Sequence, residues 1–153
     1  HQKKFNINFN KINKVIKNTF WPGRLEILKY NNKIIILDGS HNIDGAKKLS
    51  QFLKEKNLKP VVLFGMLNNK KIDFFLKLIK SNISSLLAIK IPNENNAFLS
   101  NQIAESCNAL SINHKEVKNL KQALKKITIS DKKVFLITGS LYLVGRIRSK
   151  LIN

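Results

Sequence analysis

Asp38, His41, Ser140 and Arg24 are the side chains whose types and settings could do chemistry. Asp38 ends the apolar run Ile34-Ile35-Ile36-Leu37, and Gly39-Ser40-His41-Asn42 follow it. In an open α/β sheet such a strand end lies at the ligand edge, where a carboxylate can accept from ribose hydroxyls or orient a neighbouring base. His41 and Asn42 leave the loop as a helix begins, and the unpaired amides of a helix N-terminus favour an anion. An equally good reading is that Asp38 and Asn42 only satisfy backbone amides in a β-to-α turn. Both readings stand on this stretch alone.

Arg24 follows Pro22-Gly23, and its guanidinium suits bidentate phosphate binding. A single Arg is more often a surface residue, and Trp21 beside it is more often a core anchor than a stacking platform. Ser140 closes Thr138-Gly139-Ser140 after a second apolar run. A helix N-cap alone would explain it. Its hydroxyl shares an edge with Asp38 and His41 if the two strands are neighbours. The three do not read as a hydrolase triad, because Gly139-Ser140-Leu141 lacks the G-x-S-x-G elbow. No G-x-x-x-x-G-K-[ST] loop occurs, so this domain lacks the usual grip on a triphosphate and its magnesium. His1, His41 and His114 have no zinc-ligand spacing. The lone Cys107 excludes an internal disulfide and suits a reducing compartment.

These residues need a sheet to position them. Residues 1–20 read as a lead-in segment with a linker helix, its apolar positions Ile12, Val15, Ile16 and Phe20 at helical spacing. Leu25–Tyr30 and Lys33–Asp38 read as an antiparallel pair around Asn31-Asn32, two residues that tolerate a positive φ. A helix follows over 44–56 with Ala46, Leu49, Phe52 and Leu53 inward. Strands are expected at 61–64, 84–91, 111–117 and 133–138. Helices are expected on the stripe Ile72, Phe75, Leu76, Ile79, over 98–107, on Leu120, Ala123, Leu124, Ile127, and over 140–151. In the last helix Leu141 and Val144 are assigned to the core and Gly145 to close helix–sheet packing. Strands alternating with helices of this length imply an α/β fold, a mainly parallel sheet with helices on both faces. Residues 21–153 suit one domain with one core.

The net charge is +19, from 28 Lys and Arg against 9 Asp and Glu. A field of that sign can hold nucleic acid or an anionic membrane. The lysines, however, are spread over every segment and are not interleaved with aromatics. Lys, Asn and Ile are abundant together, as an A/T-rich coding bias would make them. A solvated, biased surface is the preferred reading, and a basic nucleic-acid-binding module without catalysis is the alternative. No apolar run is long enough to span a bilayer. The start is basic and Asn-rich without a signal-peptide pattern, so a cytoplasmic protein is expected. The chain opens on His1 and is read as a piece of a longer protein.

Four stretches taken together are specific. Trp21-Pro22-Gly23-Arg24-Leu25-Glu26, Leu37-Asp38-Gly39-Ser40-His41-Asn42, Phe64-Gly65-Met66 and Thr138-Gly139-Ser140-Leu141-Tyr142-Leu143-Val144-Gly145 stand in this order. In order and spacing they resemble the C-terminal domain of the folylpolyglutamate synthase/dihydrofolate synthase family, within the Mur ligase superfamily. The resemblance runs from about residue 10 onward. It implies a Rossmann-like three-layer α/β sandwich, mostly parallel, with an antiparallel hairpin strand at the edge. It implies an ATP-dependent ligase that joins L-glutamate to dihydropteroate or a folate through an acyl phosphate. It implies that the phosphate loop, the Mg2+ ligands and most of the folate pocket belong to a preceding central domain. It further implies that the domain read here closes over the nucleotide, is inactive alone, and belongs to a monomer. By position, Arg24 looks like the arginine that reaches the ATP phosphates and Asp38 like the acid that contacts the nucleotide. His41 and Ser140 look like the pair that holds the incoming glutamate. Two positions depart from the pattern. Ile43 stands where the family has Pro after His-Asn, which is expected to loosen the turn. Lys70-Lys71 stands where it often has Lys-Asp, so no role is given to an acid there.

Overall fold

The computed structural model describes residues 23–152. The expected lead-in helix, and Trp21 and Pro22, lie outside the described residues. Strands β1 (Glu26–Tyr30) and β2 (Lys33–Asp38) form the hairpin. Asn31 and Asn32 turn it with φ of 45° and 59°, the two positive values that a turn matching strand twist requires. Then follow α1 (Ile43–Glu55), β3 (Val61–Phe64), α2 (Ile72–Ile79), β4 (Ser85–Ala88), α3 (Ser100–Ala109), β5 (His114–Glu116), α4 (Leu120–Ile129), β6 (Val134–Thr138) and α5 (Leu141–Ile152). The six strands lie in the order β1-β2-β6-β3-β4-β5. Only the β1–β2 pair is antiparallel. This is the expected three-layer α/β architecture.

Every residue of β2, β3 and β6 is buried. Their unbroken apolar runs follow from a parallel sheet covered on both faces. Successive side chains point to opposite faces. Ile34, Ile36, Val62, Phe64 and Leu136 therefore meet α1, α2 and α3 through Leu49, Leu53, Phe75, Leu76 and Cys107. Ile35, Leu37, Leu63, Phe135 and Ile137 meet α4 and α5 through Ala123, Ile127, Leu143, Val144 and Ile147. At the edge opposite the site, Lys33 is buried and its Nζ donates to the carbonyls of Ser130 and Lys132, holding the turn into β6.

Three expectations need correction. The β4 and β5 ladders are shorter than the apolar runs suggested, because Ile89 and Ile91 are buried by packing beyond the last ladder pair. Leu141 is 46 % exposed rather than core. It sits off the stripe that Leu143, Ile147 and Leu151 make at i, i+4 spacing. Gly145 lies on the side of α5 away from that stripe. A Cβ built there would meet nothing within 4 Å, so it serves no close packing.

Candidate active site

The topology brings the candidate residues to one edge. β6 inserts between β2 and β3, and Asp38 pairs in register with Thr138 and Thr138 with Phe64. The turns after β2, β6 and β3 are therefore neighbours. They are joined by backbone: Gly139 N donates to Ser40 O at 3.1 Å. Gly139 holds φ +99°, and a Cβ on it would lie 2.5 Å from the Gly65 carbonyl oxygen, so only glycine fits there.

β1 runs against β2, so its start lies at this same edge and carries residues 23–25. Gly39 N donates to Gly23 O at 2.6 Å. The Asp38 carboxylate, 5 % exposed, accepts the Ser40 amide on Oδ1 and the Leu25 amide on Oδ2, both at 3.0 Å. Asp38 thus meets the backbone-satisfying reading in full, and it does so across two segments. Arg24, between the two tied residues, is exposed to solvent.

Asn42 caps α1, its Oδ1 accepting from Gly45 N at 2.8 Å. Ile43 is the first helical residue, the position where Pro is favoured because its missing N–H costs nothing there. Ile there leaves the cap intact, so the loosened turn expected of this departure is not found. His41 is also held: Nδ1 lies 2.9 Å from Gly39 O. A carbonyl only accepts, so Nδ1 carries the proton in that bond and Nε2 is left as the second functional nitrogen. Ser140, 3 % exposed, starts α5, and its Oγ accepts the Tyr142 amide at 3.1 Å. That is the N-cap reading confirmed.

His41 and Ser140 line one pocket of about 140 Å³ with Leu67, Lys70, Gly139, Leu141 and Tyr142. Arg24 and Asp38 are not among its lining residues. The structure therefore places all four candidates at one edge but in two groups. A half-buried imidazole, a hydroxyl and a Lys70 ammonium around a small pocket can hold a carboxylate or amine, and an exposed guanidinium beside it can hold a phosphate.

Lys70 was named in the sequence only at the departure from Lys-Asp and given no role, because a lysine in so basic a chain carries little signal of its own; the structure adds it to the pocket lining. Thr138 was read only as strand, yet its Oγ1 is buried at this edge with no hydrogen-bond partner among the described residues. Among the described residues no group of three or more His, Cys, Asp or Glu could hold a metal ion. No helix among the described residues is long and apolar enough to cross a membrane.

A mostly parallel sheet between two helical layers carries many unrelated activities, so the fold alone names none; comparison with known proteins gives this chain a family. Residues 23–141 match the family model described as Mur ligase, glutamate ligase domain, and the chain belongs to that family. A dihydrofolate synthase/folylpolyglutamate synthase of Bacillus subtilis is 29% identical over 136 residues, which cover 86% of this chain and 30% of that protein. The solved folylpolyglutamate synthase of Thermotoga maritima superposes with a TM-score of 0.77 at 27% identity, over 93% of this chain and 33% of that one. The bifunctional enzyme of Yersinia pestis, complexed with AMPPNP and Mn ion, superposes with a TM-score of 0.75 at 20% identity, over 88% of this chain and 32% of that one. The chain therefore spans about a third of the length of the relatives it matches.

Proposed function

We propose that this chain is the closing domain of an ATP-dependent ligase that adds L-glutamate to dihydropteroate, a folate or both. The observation that carries this is the shared pocket of His41 and Ser140, set beside the Arg24 loop by the Gly39-Ser40 turn. The family's glutamate-ligase description, the folate enzymes among the relatives, and a neighbour holding AMPPNP and Mn ion support the substrates.

In this reading an acceptor carboxylate oxygen attacks the γ-phosphorus of ATP and ADP leaves. The glutamate amine, giving up a proton, then adds to the acyl carbon, and inorganic phosphate departs as the amide forms. The chain's part is to bind and orient. Arg24 meets the phosphates, where a fixed guanidinium stabilises charge as it moves to ADP. Asp38, though 5 % exposed and already accepting two amides, keeps lone pairs for a ribose hydroxyl brought to that edge. His41 Nε2 and Ser140 Oγ position glutamate, and Lys70 faces its carboxylates. Closing over the bound nucleotide excludes water that would hydrolyse the acyl phosphate.

The phosphate loop and the divalent-ion ligands belong to a preceding domain of the same parent chain, its main partner. The fragment is inactive alone. The parent is a cytoplasmic monomer, with Mg2+ as the ion accompanying ATP.

The test is ADP release by this chain rejoined to its phosphate-loop domain. Release is expected to need both L-glutamate and a pteroate or folate acceptor. His41→Ala should raise the glutamate KM about 10- to 100-fold, the worth of one hydrogen bond to a charged group. Folded, rejoined protein that releases no ADP with any acceptor overturns the ligase reading.

A further inference from the structure

Glu26 is a buried carboxylate that the reaction outlined above does not use. It is 6 % exposed at the start of β1, where Leu37 opposite it in register faces α5. Arg148 reaches it from α5: Nε lies 2.9 Å from Oε2 and 3.1 Å from Oε1. The same Oε2 accepts the Gly23 amide at 3.0 Å. These residues are 122 positions apart in sequence, and no local turn requires the contact. A carboxylate this buried is costly unless paired, and here both oxygens have partners.

The Arg24 loop does not hold its shape by itself. Gly23 has φ +73° and Leu25 has φ +49°, the latter a region that a bulky L residue rarely adopts. Such a conformation persists only where its surroundings over-determine it. Here they do. Leu25 N is tied to Asp38, Gly23 O accepts from Gly39 N, and Gly23 N donates to Glu26. Glu26 is in turn clamped by Arg148, which shares α5 with the pocket residues Leu141 and Tyr142. A single helix thus carries both lining residues of the His41–Ser140 pocket and the clamp on the Arg24 loop.

We infer that Glu26, locked by Arg148, is a positioning residue that aims Arg24 at the nucleotide phosphates. This rests on the phosphate role proposed for Arg24. Neither residue touches substrate. The pair fixes where the guanidinium starts from, and small misplacements of a charged clamp are costly to the reaction.

The test uses the full parent chain and steady-state kinetics for ATP and for glutamate. Glu26→Gln loses the ion pair while keeping an oxygen for Gly23 N, and Arg148→Lys keeps the charge but loses the fixed Nε geometry. Each is expected to raise the ATP KM or lower kcat about 5- to 10-fold, with the glutamate KM changed less than about twofold. In an Arg24→Ala background, Glu26→Gln should add less than about twofold, because the group it positions is gone. If Arg24→Ala is itself silent, the phosphate role of Arg24 fails and the positioning role falls with it. If Arg24→Ala impairs ATP use but both pair variants are silent, only the positioning role is overturned. The same holds if Glu26→Gln costs as much in the Arg24→Ala background as alone. Arg148→Lys decides the matter should Glu26→Gln fail to fold.

Discussion

The Asp38 carboxylate accepts the Leu25 amide at 3.0 Å while Leu25 sits at φ +49°, so a strained turn is held in place from the neighbouring strand. The acid that ends β2 is therefore structural before it is anything else. It joins the loop that carries Arg24 to the turn that carries His41.

Asp38→Ala removes the acceptor for two half-buried amides. Hydrogen bonds to a charged group contribute about 1.5–3 kcal/mol each, so a stability loss of about 2–4 kcal/mol is expected in urea unfolding. Asp38→Asn keeps one oxygen and should lose about half as much. A neutral result for Asp38→Ala would mean that the two turns are held by other contacts.

Gly139 and Gly145 should respond oppositely to alanine. At Gly139 a Cβ meets the Gly65 carbonyl oxygen at 2.5 Å and the Phe64 ring at 2.8 Å, at φ +99°. Gly139→Ala is expected to destabilise by about 2 kcal/mol or more and to separate Ser140 from His41. Gly145 lies in open space within a helix, so Gly145→Ala should stabilise by about 0.5–1 kcal/mol. Thermal unfolding of the two variants beside the parent checks both signs.

Ser140 has two duties that can be separated. As the cap of α5 its loss should cost about 1 kcal/mol, read by thermal unfolding. Ser140→Asp or Ser140→Asn keeps a capping acceptor, so either should retain stability yet still impair glutamate use. Equal loss of stability and activity across Ala, Asn and Asp would leave Ser140 with the cap alone.

Cys107 is fully buried, and desolvation pushes its thiol from 9.0 up to about 11. The folded thiol is expected to react with a thiol reagent at pH 8 about 100-fold more slowly than the unfolded chain, or slower still. The sign for stability follows from the unfolded chain giving up this proton first. The contribution is present in full below about pH 9 and is lost as pH rises towards 11. Urea midpoints measured between pH 8 and 11 should fall accordingly.

Local pattern in the chain was enough for most of the elements and for naming the four candidate residues. Apolar periodicity fixes which segments are strands and which are helices, since burial of one face is a local pattern. Asn31-Asn32 determined the hairpin, and the capping residues Asn42 and Ser140 marked two helix starts. Which residues meet across the fold had to wait for the packed chain. The insertion of β6 between β2 and β3 sets Ser140 beside His41, and no local pattern encodes the order of parallel strands. The clamp of Arg148 on Glu26, the tie of Leu25 to Asp38 and the burial of Lys33 against two carbonyls are all long-range partnerships of polar groups. Polar side chains carry no periodicity that names their partner. Their positions are set by the packing of the apolar faces beneath them, and that packing exists only in the folded chain.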